Sequence, residues 1–180
     1  MAELETATLG GGCYWCLEAF YQRVNGVDYV TSGYSGGHVD NPTPERVYQG
    51  DTGHAEVVQL KFDPKIITYS EILEIFYVMH DPTTLNRQGN DVGEEYRSVI
   101  FYHNAEQKKI AEETTKTFAA GLYKDPVVTQ IEPLDKFWPA AEYMQDYYNK
   151  NPTAGYCLAV IDPKIQKLRH KFAAKLKPVA

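Results

Sequence analysis

Cys13 stands in the stretch Gly10-Gly11-Gly12-Cys13-Tyr14-Trp15-Cys16-Leu17-Glu18. The glycines allow a sharp turn and close approach by other groups. Leu17, Phe20, Tyr21 and Val24 then fall at i, i+3, i+4 and i+7, the spacing of one helix face. Cys13 therefore sits at a helix amino end, where unpaired N–H groups and the dipole favour a thiolate. Tyr14 and Trp15 set a flat apolar wall beside that nucleophile. An unselected cysteine in an apolar run is more often a small core residue; the glycines, the helix start and the aromatic neighbours turn this one toward reactivity. Cys13 and Cys16 also form a Cys-x-x-Cys pair, which fits a thioredoxin-type redox motif or half of a zinc site.

Four further groups could act with Cys13: Glu56, Asp91, Tyr96 and Cys157. Glu56 shares a predicted strand face with Val58, Leu60 and Phe62, and is the one carboxylate on it. The alternative for Glu56 is an ion pair with a lysine or arginine. Asp91 and Tyr96 read singly as ordinary loop chemistry. His54 and His80 fit local hydrogen bonding better than catalysis. Zinc would need Cys13, Cys16, Cys157 and a histidine, without the usual second Cys-x-x-Cys or His-x-x-x-His pair.

These groups need a scaffold. Thr6–Leu9 reads as a strand ahead of the first helix, and Val27–Tyr34 as a second strand after the Asn25-Gly26 stop. A long loop, His38 to Gly53, leads to a strand over His54–Phe62. Thr68 to Glu71 has the spacing of a capping box, opening a helix with Ile72, Ile75, Phe76 and Met79 on its apolar side. Its end near His80-Asp81-Pro82 precedes a second long loop, Thr83 to Glu95. Tyr96–Tyr102 reads as a strand, Asn104 caps a helix, and Pro126–Ile131 reads as another strand. Pro139 reads as the first residue of a helix. Gly155-Tyr156-Cys157 reads as a mobile turn opening an apolar run to Ile161, and Asp162-Pro163 opens a last helix. Strands and helices mix without strict alternation, which predicts an α+β fold: one two-layer domain over 1–180, a mixed β-sheet against helices.

The 180 residues suffice for one sizeable core. A net charge of −6 without a basic run argues against nucleic acid and anionic membrane as partners. No apolar run reaches the length of a membrane span. The acidic start, Met1 to Glu5, lacks a signal peptide's basic and apolar regions. Three cysteines, an odd count, fit catalytic thiols in a reducing cytoplasm rather than a disulfide framework.

The block Gly11-Gly12-Cys13-Tyr14-Trp15-Cys16-x-Glu18 resembles the signature of the peptide methionine sulfoxide reductase A family. Four more blocks follow in that family's order: Gly33 to Gly37, Gly50 to Glu56, Asp81 through Asp91 to Ser98, and Gly155-Tyr156-Cys157. The resemblance spans nearly the whole chain and implies a two-layer α+β domain with a mixed sheet. It implies Cys13 as nucleophile, Tyr14 and Trp15 as the receptor of the methionine methyl group, Glu56 as proton donor, Asp91 and Tyr96 as polar lining, and Cys157 as recycling cysteine. The pairing it favours is Cys13 with Cys157, leaving Cys16 a structural thiol or an alternative resolving partner. The family commonly has Phe at Tyr14 and often Tyr at Pro44, so one hydroxyl near the sulfoxide is either absent here or supplied by another residue such as Tyr48. A basic helix follows Cys157 where some members carry a second recycling cysteine.

The chemistry implied is thiol-dependent reduction of methionine-S-sulfoxide in proteins. Thiolate attack at sulfur needs the oxygen protonated, and a carboxyl in an apolar site is such an acid near neutral pH. A sulfenic acid on Cys13 then condenses to a disulfide, which thioredoxin reduces. No cofactor is called for, and a monomer is expected. Two other classes compete on the residues alone: a thiol–disulfide oxidoreductase working through Cys13 and Cys16, and a zinc-stabilised binding module.

Overall fold

The computed structural model describes residues 3–178; Met1 and Ala2, part of the acidic start, lie outside the described residues. The strands are β1 (Glu5–Gly10), β2 (Val27–Ser35), β3 (Ala55–Phe62), β4 (Arg87–Gln88), β5 (Asp91–Val92), β6 (Val99–Tyr102), β7 (Gln130–Pro133) and β8 (Phe137–Pro139). The helices are α1 (Tyr14–Tyr21), α2 (Pro44–Tyr48), α3 (Tyr69–Met79), α4 (Ala105–Thr114), α5 (Ala120–Leu122), α6 (Tyr147–Lys150) and α7 (Asp162–Phe172). Six strands form one sheet in the order β7-β6-β1-β3-β2-β8, and β4 and β5 pair as a separate ribbon. All neighbours in the large sheet are antiparallel except β6 and β7, so the sheet is mixed.

Strand alternation divides the core. Val58, Leu60 and Phe62 face the helices and join the main cluster with Leu17, Phe20, Ile72, Phe76 and Leu168. Ala55 and Val57 point the other way, into a smaller cluster with Val99, Phe101, Leu134 and Phe137. Each large side chain fully buried on the helix face contributes about 1.5–3 kcal/mol by leaving water. Helix α1 is buried almost all round, from Tyr14 to Tyr21, because the sheet, α6 and α7 enclose it.

Local signals were strong where they were complete. Thr68 and Glu71 make both halves of the capping box that starts α3, and Asn104 accepts from the Gln107 N–H at 2.9 Å to start α4. Both long loops contain structure. Thr43 caps the short α2, and the β4–β5 ribbon occupies the second loop.

Other expectations are corrected. Pro139 ends strand β8 opposite Gly33 instead of opening a helix; an edge strand tolerates a residue with no N–H to donate. The strand read over Pro126–Ile131 begins only at Gln130, where it meets Val99 of β6. Tyr96 lies in a 3-10 turn ahead of β6. Cys157 is in no loose turn: Cys157–Ile161 forms a π-helical run that leads into α7. Among the described residues no helix is long and apolar enough to cross a membrane.

Candidate active site

The end of β1 and the beginning of β3 meet because the two strands run antiparallel, with Leu9 opposite Val58. The chain leaving β1 at Gly10 thus passes beside Glu56. Gly12 makes the turn at φ +98°, and a Cβ there would sit 2.7 Å from Gln88 Cγ. Cys13 follows with extended backbone, φ −65° and ψ 129°, as the residue capping α1. Its carbonyl accepts the Cys16 N–H at 3.1 Å.

Cys13 is 9% exposed. Its thiol is held well above the ordinary pKa, first by burial, then by the hydrogen bond with Cys16 and the charge of Glu56; the Trp15 backbone N–H pulls the other way. Burial therefore opposes the helix start, which favours a thiolate. The helix N–H is present, but desolvation outweighs it.

Glu56 is 2% exposed. Its Oε1 accepts the Tyr14 backbone N–H at 3.1 Å, and no lysine or arginine pairs with it among the described residues. Burial pushes its pKa up to about 8, against the Tyr14 hydrogen bond and with help from the charges of Glu95 and Asp91. The carboxyl is consequently protonated at neutral pH and stands ready to donate.

Tyr14 is fully buried, and its hydroxyl is 2.6 Å from that of Tyr34. The hydroxyl that departs from the resembled family thus has a dedicated partner. Trp15 stacks on Tyr147, with ring centroids 3.6 Å apart and planes 7° from parallel. The buried Glu18 carboxylate fixes that stack by accepting the backbone N–H groups of Asp146 at 3.0 Å and Tyr147 at 3.3 Å.

Tyr96 is half-buried, and its hydroxyl is held protonated by burial and by the neighbouring Glu56 charge. Tyr48, more than half exposed, is pushed up to about 12, first by burial and then by the charges of Glu56 and Cys13. A hydroxyl from α2 therefore reaches the site even though Pro44 cannot supply one. Asp91 accepts the Tyr156 O–H at 3.0 Å.

Cys13, Cys16, Asp91, Tyr156 and Lys164 share the wall of a cavity of ≈560 Å³. Cys157, next to Tyr156, is fully buried in the main core cluster. All three cysteines are free thiols. His54 and His80 are satisfied locally: His54 Nδ1 accepts the Gly37 N–H at 3.0 Å, and His80 bonds to the Phe76 carbonyl and the Ser98 hydroxyl. Among the described residues no three His, Cys, Asp or Glu side chains cluster as a metal ion requires.

Tyr34, Tyr147, Tyr156 and Glu18 are site residues that sequence reasoning did not single out. Tyr34 and Tyr156 lie inside motif blocks already recognised. Tyr147 lies outside every motif block.

Comparison with known proteins agrees with this geometry. A family model described as peptide methionine sulfoxide reductase matches residues 5–176. The chain is 53% identical to the peptide methionine sulfoxide reductase MsrA of Polynucleobacter asymbioticus, over 97% of this chain and 93% of that protein. It is similar to the crystal structure of reduced Mxr1 from Saccharomyces cerevisiae, with TM-score 0.73 and 35% identity over 86% of this chain and 90% of the other. A structure of Mxr1 in complex with Trx2 matches with TM-score 0.51 and 27% identity, covering 79% of this chain and 84% of that one.

Proposed function

The chain belongs to the peptide methionine sulfoxide reductase family, and from that premise we propose how its residues divide the work. The reaction is thiol-dependent reduction of methionine-S-sulfoxide to methionine, with thioredoxin restoring the enzyme. Cys13 is the nucleophile and Glu56 the acid. Tyr14 and Trp15 receive the methyl group, Asp91 and Tyr96 line the polar side, and Cys157 recycles. Residues 1–180 act as one catalytic domain, and the odd count of cysteines suits a reducing cytoplasm.

The observation that carries this reading is the buried Glu56 carboxyl held by the Tyr14 backbone N–H at 3.1 Å, one residue along the chain from the buried Cys13 thiol. Cys13 sulfur attacks the sulfoxide sulfur while Glu56 protonates the oxygen, which needs a proton as the S–O bond weakens. The Cys13 proton restores Glu56, so the step consumes none overall. The S–O bond breaks, methionine leaves, and Cys13 carries the oxygen as a sulfenic acid. The flat faces of Tyr14 and Trp15 suit a methyl group, and the Tyr96 and Tyr48 hydroxyls can donate to the sulfoxide oxygen.

The test is incubation with dithiothreitol and a peptide containing both sulfoxide epimers, read by chromatography. The S epimer is converted to methionine and the R epimer remains. Conversion of neither overturns the reading.

A further inference from the structure

The turn that presents Cys13 is built from Gly10-Gly11-Gly12, residues with the least conformational restraint of their own. Gly12 holds φ +98°, and a glycine reaches other conformations about as readily. Contacts from elsewhere in the fold must therefore select this one. His80 and Phe76 close on Gly11, where a Cβ would sit 3.0 Å from His80 Cδ2 and 3.1 Å from Phe76 Cε1. The stem of Gln88 closes on Gly12, where a Cβ would sit 2.7 Å from its Cγ and 2.9 Å from its Cβ.

Gln88 is itself held at both ends of its amide. Its Oε1 accepts the Asp81 backbone N–H at 3.0 Å, and its Nε2 donates to the Asp81 carbonyl at 2.9 Å. The amide thus pairs with the backbone as a neighbouring strand would. Asp81 directly follows His80, the residue that ends α3, so Gln88 is anchored to the same helix end that packs on Gly11. In the β4–β5 ribbon Gln88 stands opposite Asp91, which accepts the Tyr156 O–H. Gln88 and Asp91 line the same cavity as Cys13. The ribbon therefore joins the Cys13 turn to the polar wall of the site.

We propose that Gln88 is a positioning residue: its stem clamps the Gly12 turn and so holds the Cys13 thiol in line with a sulfoxide bound in the cavity. This rests on the reading of Cys13 as nucleophile and deepens it. Gln88 touches no reacting atom in this role. Both polar ends of its amide are engaged by Asp81, which leaves the apolar stem to meet Gly12. Attack at sulfur tolerates little error in distance or angle, and a misplacement of about 1 Å costs on the order of 10²-fold. Without the stem, Gly12 regains its other conformations and Cys13 spends part of its time out of line. The same freedom opens the thiol, 9% exposed in the clamped turn, to reagents in solution.

The test compares full-length Gln88→Ala and Gln88→Met with the parent enzyme. Alanine removes stem and amide together; methionine keeps a stem of similar length and loses both hydrogen bonds. Single-turnover reduction of a methionine sulfoxide peptide is followed over a range of peptide concentrations. Alkylation of Cys13 by iodoacetamide is mapped on the same folded proteins without peptide. Gln88→Ala should lower the rate at saturating peptide by about 10–10²-fold, with little change in the half-saturating concentration. Gln88→Met should lower it by less, and both variants should alkylate Cys13 faster than the parent. A merely structural role would lower the urea midpoint yet leave the saturated rate and the alkylation of the folded enzyme unchanged, and that result overturns the proposal. So does a loss confined to the half-saturating concentration, which would make Gln88 a substrate contact. Should Gln88→Ala fail to fold, Gln88→Met decides by the same two readouts. A parent enzyme that releases no methionine overturns the functional reading, and the alkylation rates still test the clamp.

Discussion

Glu56 Oε1 accepts the backbone N–H of Tyr14, the residue after Cys13, at 3.1 Å. The carboxyl is therefore tethered to the helix turn that presents Cys13. Replacing Glu56 by Gln keeps this hydrogen bond but removes the acidic proton. Single-turnover reduction should fall by ~10²–10⁴-fold, the usual worth of general acid catalysis. A fall of less than about tenfold would assign Glu56 a structural role instead.

Glu56 also sets a pH dependence. Its folded pKa, about 8, lies above the ordinary 4.5. Between those values the folded chain holds a proton that the unfolded chain has released. Stability therefore declines as pH rises through that window, by on the order of 3 kcal/mol at pH 7. Denaturant titrations should show this slope in the parent and a flatter one in Glu56→Gln. The acid form is lost above about 8, so single-turnover activity should decline there too.

His80 works in the opposite direction. Burial lowers its pKa from 6.5 to about 4. The unfolded chain takes up a proton in that interval and the folded chain does not. Stability is then lost as pH falls from 6.5 toward 4, by about 2 kcal/mol between pH 7 and pH 5. A His80 imidazole that titrates near 6.5 by NMR in the folded protein would exclude this assignment.

Tyr14→Phe removes the hydrogen bond to Tyr34 and leaves the ring in place. The cost should be about 1 kcal/mol of stability, measured by denaturant unfolding, with sulfoxide reduction retained. Loss of activity beyond about tenfold would mean that the Tyr14–Tyr34 pair takes part in the chemistry.

Tyr147→Ala strips the outer face of Trp15. A stacked aromatic pair is worth about 1 kcal/mol beyond its burial, or roughly fivefold in an equilibrium constant. KM should rise by that order while kcat changes less. An unchanged KM would show that the methyl receptor needs no support from Tyr147.

Cys13→Ser should abolish reduction even in a single turnover. Cys157→Ser should release one methionine per enzyme and then stall with thioredoxin as reductant, because the recycling thiol is missing. Normal steady-state turnover by Cys157→Ser would remove Cys157 from the cycle.

Much of this site was legible because its signals are local. The glycines, the helix start and the aromatic pair around Cys13 lie within one short stretch, and Glu56 stands out as a carboxylate on an apolar strand face. Their meeting was not legible, since it depends on β1 pairing with β3 across a long separation in sequence. The burial of the Cys13 thiol was not legible for the same reason: the helix start is local, whereas burial is a property of the whole fold. Pro139 gave an ambiguous signal, because a helix start and an edge strand both accommodate a missing N–H. The Trp15–Tyr147 stack left no trace in sequence, as its orienting carboxylate, Glu18, lies far along the chain from Tyr147.

Leu9 stands opposite Val58, and this alignment has a bearing on safety during folding. A slip of one residue between β1 and β3 would turn Glu56 to the other face of the sheet. A chain in which these strands are unpaired or slipped has its cysteines but no acid beside Cys13. On the roles proposed for Cys13 and Glu56, such an immature molecule would lack the proton donor for sulfoxide reduction. Reactivity arrives together with the finished sheet, so the enzyme is switched on by its own completion.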